Sequence, residues 1–176
     1  MPTTTRTPYW DTARAIAITL VVIGHAIQPL NSQYAPSYAT YLVIYAFHMP
    51  AFALLAGYFS RAEPGKKQWG RIVTDLLVPY LIVETIWTVV RLVVTGGTTF
   101  DPASPSWTLW FLLALAIFRM VLPVIARLRW PLVVTILLSV GVGYVDSVDT
   151  TFSLSRLFGL LPFFTLGWWL AHTRVI

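Results

Sequence analysis

Long apolar runs alternate along the chain with short segments rich in proline, glycine and charge. Each apolar run approaches the roughly 20 residues that an α-helix needs to cross a bilayer. The pattern therefore predicts an all-α, polytopic transmembrane helix bundle with about six spans, in which residues 1–176 form a single domain. The helices are expected at residues 12–30, 38–60, 72–95, 107–126, 130–145 and 154–172.

The composition supports a multi-pass membrane protein. Hydrophobic residues make up 57% of the 176 residues and charged residues 11%, whereas about a quarter of an ordinary soluble domain is charged. The chain has no cysteine, which excludes disulfides, thiolate metal ligands and a cysteine nucleophile. Any catalysis must therefore use other side chains.

The distribution of basic residues predicts the direction of the helices. Segments that carry Lys and Arg, such as 61–71 and 127–129, alternate with segments that carry neither. Lys and Arg concentrate on the cytoplasmic side of membrane proteins, so we expect the basic segments and both termini to be cytoplasmic. This topology accounts for most of the net charge of +5. The charge therefore gives little support to a nucleic-acid partner, and none is expected.

The first predicted helix carries three groups that lipid disfavours, Asp11, Arg14 and His25. Arg14 and His25 fall within about 20° of one helix face and about 16 Å apart along the axis. Asp11 precedes Arg14 by three residues and can pair with it. Ionisable groups at membrane depth usually face a protein interior or a watery cavity. We therefore expect this face to line a functional site.

Two further ionisable residues, His48 and Glu84, are predicted at a similar depth. Helix rise places them and His25 about 18–20 Å above the cytoplasmic boundary. A His/His/Glu cluster near the middle of the membrane is therefore possible, although periodicity does not show which helix faces meet. The alternative for each residue is a neutral side chain that is hydrogen-bonded to a neighbouring helix. The chain has no local ligand motif such as H-E-x-x-H, so no metal is expected.

Five stretches of the chain together resemble a known family. They are, in order, WDTARAIAITLVVIGHA with Arg14 and His25, FHMPAFALLAGYF, LLVPYLI, WTLWFLLAL and LLPFFTLGWWL. By these stretches the chain resembles the acyltransferase-3 family of integral-membrane acyltransferases. Within the family it is most similar to the sugar O-acetylases of the fucose 4-O-acetylase type. The similarity runs in order along nearly all of the chain.

The resemblance implies an acyltransferase for groups other than amino-acyl groups, located in the plasma (inner) membrane. Such an enzyme moves an acyl group, usually acetyl from cytoplasmic acetyl-CoA, to a hydroxyl of a cell-envelope glycan, lipid-linked sugar or exported small molecule. Arg14 and His25 would be the family's essential pair. An imidazole can take a hydroxyl proton at neutral pH, so His25 is the candidate general base or acyl carrier. Further candidate catalytic residues are Asp11, His48 and Glu84.

The acyl donor has two predicted contacts. Arg14, near the cytoplasmic end of its helix, would hold a phosphate or carbonyl oxygen of the donor, with Asp11 fixing its orientation. Lys66, Lys67 and Arg71 could bind the CoA phosphates, or they could simply follow the cytoplasmic bias of basic residues. The family often has an arginine pair at a spacing of three here, whereas Lys67 and Arg71 are four positions apart.

The chain also departs from the family pattern. Ala56 stands where the family commonly has serine, while Gly57 is kept and is expected at a close approach between helices. Family members usually have about ten spans, whereas span length allows about six here. The chain thus resembles an N-terminal portion or a reduced homologue, which missing C-terminal helices or self-association would complete. A transporter or proton-coupled channel and a non-catalytic truncated homologue are the alternative hypotheses.

Overall fold

The computed structural model describes residues 8–30, 34–62, 66–96, 109–144 and 154–173, and these residues include no β-strand. A π-helical turn joins the third helix to the fourth, and a 3-10 turn extends the first. Each predicted helix has a counterpart, and the prediction of an all-α fold is confirmed. The elements are α1 (Pro8–Ile27), the 3-10 turn (Gln28–Leu30), α2 (Ala35–Tyr58), α3 (Lys66–Ile72), the π turn (Val73–Leu77), α4 (Val78–Thr95), α5 (Trp110–Ile125), α6 (Pro131–Val142) and α7 (Leu154–His172).

Within the described ranges, three helical segments are long and apolar enough to cross a membrane, namely Pro8–Leu30, Ala35–Tyr58 and Trp69–Thr95. Trp110–Ile125 and Pro131–Val142 are shorter apolar helices. Many large apolar side chains on α1, α2 and α4 are exposed, as expected of helix surfaces that face lipid. Six spans and cytoplasmic termini remain predictions.

Proline and glycine residues explain several helix boundaries. Pro36 and Pro131 lie in the first turns of α2 and α6, where a missing backbone N–H leaves no hydrogen bond unmade. The π turn comes directly before Pro79, which cannot donate to the carbonyl of Asp75 four residues earlier and whose ring would crowd that carbonyl. Gly96, with φ of 74°, ends α4 in the left-handed conformation that glycine adopts readily.

Helices α2 and α7 pack together at the centre of the fold. Gly57 of α2 lies against the backbone of Phe164, and Gly167 of α7 lies against the backbone of Leu54. A Cβ atom on either glycine would overlap a carbonyl oxygen of the opposite helix. Beside this crossing, Phe118 of α5 packs on Phe164 with ring centroids 5.1 Å apart. The predicted close helix approach at Gly57 is confirmed.

Helix α1 runs antiparallel to α2. Near the start of α1, the Trp10 ring stacks on Tyr58 at the end of α2, with centroids 4.2 Å apart. Near the end of α1, Gly24 lies beside Ile44 and Tyr45 in the first half of α2, where a Cβ on the glycine would be 3.1 Å from the Ile44 Cγ2 atom. The small residue therefore allows the last turns of α1 to approach α2 closely.

Candidate functional site

A cavity of about 890 Å³ lies among α1, α2, α5 and α7. Its volume falls in the range of about 300–1,000 Å³ that is typical of small-molecule sites. Most of its lining is apolar or aromatic, and the described lining residues include no Asp or Glu. The cavity is thus a mostly apolar chamber with a few neutral or basic groups. Its polar side chains are His25, Gln28, Tyr41, Tyr45, His48 and Arg156.

His25 contacts Tyr45 across the interface between α1 and α2. The Nδ1 atom of His25 lies 3.2 Å from the phenolic oxygen of Tyr45, and the two rings meet edge to face with centroids 5.8 Å apart. Gly24 permits this contact because it lets α1 come close to the Tyr45 ring. The hydroxyl of Tyr45 therefore fixes which way the imidazole of His25 is turned, and it engages Nδ1 rather than Nε2.

His48 is almost fully buried, with 2% of its surface exposed, yet it reaches the same cavity. Its Nδ1–H donates a hydrogen bond to the carbonyl of Ile44 at 2.6 Å. Because a carbonyl only accepts, neutral His48 must carry its lone pair on Nε2. The ring of Tyr45 lies edge to face with His48, 4.8 Å away. The structure thus brings both predicted histidines to one cavity, with Tyr45 in contact with each.

Arg14 and Asp11 lie toward the other end of α1. The Nη1 atom of Arg14 is 3.8 Å from the Asp11 Oδ1 atom, and both side chains are about half exposed. The guanidinium also lies 4.3 Å from the ring centroid of Phe59, just after α2. Arg14 and His25 therefore both face α2 or its end, as a shared stripe requires. Neither Arg14 nor Asp11 lines the cavity.

Glu84 does not join the two histidines. It is buried, with 1% of its side chain exposed, and its Oε1 atom lies 3.6 Å from the Nη2 atom of Arg91, two turns further along α4. Within the described ranges, no three His, Cys, Asp or Glu side chains form a group that could hold a metal ion. The possible His/His/Glu cluster is therefore not formed there, because Glu84 meets Arg91 of its own helix and α4 contributes nothing to the cavity lining.

The predicted donor-binding cations Lys66, Lys67 and Arg71 all lie on α3, and we call them the α3 basic cluster. Arg71 is exposed in the last turn of this helix. The side chains of Lys66 and Lys67 lie outside the described part of the structure, so their contacts remain a prediction. Arg71 does not line the cavity.

Four polar residues of the cavity, Gln28, Tyr41, Tyr45 and Arg156, were not among the candidates from the sequence. Tyr45 precedes His48 by three positions and follows Tyr41 by four, a spacing that places all three on one helix face. That spacing could have indicated Tyr45. Arg156 lies near the start of the last predicted span, which by the predicted topology is its outer end. A cation on that side is an exception to the positive-inside pattern, and this exception could have indicated Arg156.

Comparison with known proteins shows which family the chain resembles. A family model described as "Acyltransferase domain", of the acyltransferase-3 type, matches residues 7–175. The nodulation protein NolL of Mesorhizobium japonicum is 38% identical over 87 residues, which cover 45% of this chain and 23% of that protein. The chain therefore aligns with less than a quarter of the length of this relative. No solved structure matches.

Proposed function

Because the chain belongs to the acyltransferase-3 family, we propose that it is an acyltransferase that transfers an acetyl group from cytoplasmic acetyl-CoA to a hydroxyl. The proposed acceptor is a carbohydrate of the cell envelope or a lipid-linked sugar, as in the sugar O-acetylases of the fucose 4-O-acetylase type. The proposed location is the plasma membrane, with multiple spans. The main support is the contact between His25 and Tyr45 at the wall of a cavity of about 890 Å³.

In the proposed reaction, His25 is the general base. The tautomer required has Nδ1–H donating to the oxygen of Tyr45, which leaves the lone pair on Nε2. Nε2 takes the proton of the acceptor hydroxyl while the hydroxyl oxygen attacks the thioester carbonyl carbon. The tetrahedral intermediate then collapses, the carbon–sulfur bond breaks, and the imidazolium returns the proton to the leaving CoA sulfur. The products are the acetyl ester and free CoA.

Tyr45 has a defined part in this step. The imidazole of His25 gains a positive charge when it takes the proton, and a hydrogen bond to a charged group is stronger than one between neutral groups. The phenolic oxygen of Tyr45, 3.2 Å from Nδ1, accepts this bond. Tyr45 therefore orients His25 before the reaction and stabilises its charged form during it.

The donor is proposed to enter from the end of α1 that carries Arg14. Helix rise separates Arg14 from His25 by about 16 Å, a length comparable to an extended pantetheine arm. In this arrangement Arg14, held by Asp11, contacts the donor near the cytoplasmic side while the thioester reaches the cavity. The α3 basic cluster offers additional cations for the CoA phosphates.

Transfer of radiolabelled acetyl from acetyl-CoA to an envelope glycolipid extract tests this proposal on the purified full chain. Loss of a general base reduces the rate by about 10²- to 10⁴-fold, so His25→Ala should reduce label transfer by that amount. The control is His172→Ala, because His172 contacts Trp168 within α7 and does not line the cavity. It should transfer label at the parent rate. Parent-level transfer by folded His25→Ala would remove His25 from the mechanism.

A further inference from the structure

Arg156 is a cavity cation to which the proposed reaction assigns no part. It lies in the first turn of α7 and lines the cavity together with His25 and His48. Its guanidinium lies 5.6 Å from the ring centroid of Trp110, the first residue of α5. Contact with an aromatic face favours a guanidinium and limits its orientations. Arg156 therefore presents its donor groups at the cavity from a supported position.

The electrostatics around Arg156 favour a negatively charged ligand. The described cavity lining contains no carboxylate, and Arg156 forms no ion pair with another described residue. The other polar lining groups are imidazoles, phenols and an amide. Nothing in this described lining offsets the charge of the guanidinium, and because Arg156 is exposed, an anion can reach it from solvent.

The position of Arg156 along the bundle points to the acceptor rather than the donor. Trp110 and Arg156 lie at the starts of α5 and α7, and His25 lies near the end of α1. Arg14, the predicted donor contact, lies against Phe59 at the opposite end of the α1–α2 pair. Cytoplasmic CoA is therefore expected to approach from the end of the bundle opposite to Arg156.

We propose that Arg156 binds an anionic group of the acceptor, so that the acceptor is an acidic or phosphorylated sugar. The guanidinium can donate two parallel hydrogen bonds to a carboxylate or a phosphate. Anchored in this way, the sugar would direct one of its hydroxyls toward His25 within the same cavity. This inference rests on the proposed acyl transfer and adds the charge class of the acceptor and the residue that selects it.

Equilibrium binding of three probes to the purified full chain, with no acyl donor present, tests the proposal. The probes are methyl glucuronide, glucose 1-phosphate and methyl glucoside, which compare a carboxylate and a phosphate with a neutral sugar. Hydrogen bonds to charged groups predict that at least one acidic probe binds about tenfold or more tightly than the neutral one. Arg156→Gln should abolish that preference, and Arg156→Lys should restore part of it.

Arg129→Gln is the matched control, because Arg129 also contacts a tryptophan, Trp130 at 5.9 Å, but lies outside the cavity lining. This variant should keep the preference for the acidic probe. Equal affinity of the parent protein for all three probes, including undetectable binding of all three, would overturn the proposal. So would a preference for an acidic probe that survives in Arg156→Gln.

Failure of this inference can be told apart from failure of the proposed acyl transfer. The binding assay contains no thioester and involves no reaction, so it reports only on recognition of the acceptor. Parent protein that fails to prefer acidic probes but loses label transfer on His25→Ala would retain the proposed function and lose the anion site. Selective binding of an acidic probe that depends on Arg156, without any label transfer, would retain the anion site and refute the proposed acyl transfer.

Discussion

The hydrogen bond between Tyr45 and His25 gives the most specific prediction about the reaction. Tyr45→Phe removes the phenolic oxygen that lies 3.2 Å from the Nδ1 atom of His25 and keeps the aromatic ring. The ring contacts of Tyr45 with Tyr41 and His48, at 4.0 and 4.8 Å, should therefore persist. The substitution leaves His25 in place without the partner that orients and stabilises its imidazolium.

The size of the effect follows from the type of bond. A hydrogen bond to a charged group contributes about 1.5–3 kcal/mol, and about 1.4 kcal/mol corresponds to a factor of ten in rate. Because 3.2 Å is at the long end for a hydrogen bond, we expect the lower part of this range. Tyr45→Phe should therefore reduce kcat by about tenfold. His25→Ala should reduce it further, because the base itself is then absent.

The label-transfer assay at saturating acetyl-CoA measures this effect. Tyr58→Phe is the control, since it makes the same chemical change on the same helix at a residue that stacks on Trp10 and does not line the cavity. It should retain the parent kcat. In a double variant with His25→Ala, the Tyr45 substitution should have little additional effect. Parent-level kcat in Tyr45→Phe would refute the orienting role of Tyr45. So would an equal loss of kcat when Tyr45→Phe is introduced into the parent protein and into His25→Ala.

Two further predictions concern stability. Gly57→Ala forces a Cβ atom against the α7 backbone and should reduce the free energy of unfolding by about 2 kcal/mol or more. The control is Gly141→Ala, where the Cβ meets open space, and its unfolding temperature in detergent should be unchanged or slightly higher. Equal unfolding temperatures of the two variants would contradict the tight crossing of α2 and α7. Glu84→Gln removes the carboxylate beside Arg91 and should destabilise the chain by only about 1 kcal/mol, because Arg91 is 42% exposed and solvent weakens the ion pair. The transfer rate per folded molecule should stay within about twofold of the parent rate. A rate loss comparable to that of His25→Ala would instead give Glu84 a part in the reaction.

Local patterns in the sequence were sufficient to predict the helices. Apolar runs of bilayer length require a helix, because the backbone polar groups in lipid must be satisfied within the segment. The ends were less predictable, since they depend on local chemistry. The third predicted helix, for example, begins earlier, at Lys66, and contains a π turn before Pro79. Gly57 could be assigned to a close approach, but its partner Phe164 could not, because no pattern shows which helices meet.

In the candidate site, too, the sequence predicts which residues share one helix face, whereas packing determines which helices bring their residues together. Arg14 and His25 share a stripe because they lie on one helix, and both face α2 or its end in the structure. Depth along the helix suggested that His25 and His48 lie at a similar level, and both line one cavity in the structure, with Tyr45 in contact with each. The same argument failed for Glu84, because equal depth does not determine which face is turned inward. Contacts between different helices, such as that of Tyr45 with His25, depend on how the helices pack, which no local pattern encodes.

The most direct test is a structure of the full chain with a non-hydrolysable acetyl-CoA analogue, in which a methylene group replaces the thioester sulfur. We predict that the carbonyl carbon of the analogue lies in the cavity and leaves room for an acceptor oxygen between it and the Nε2 atom of His25. Reacting atoms in productive complexes lie about 3–3.5 Å apart, so the carbon should be about 6 Å or less from Nε2. An acyl group bound outside the cavity, or separated from His25 by packed side chains, would contradict the proposed enzyme mechanism.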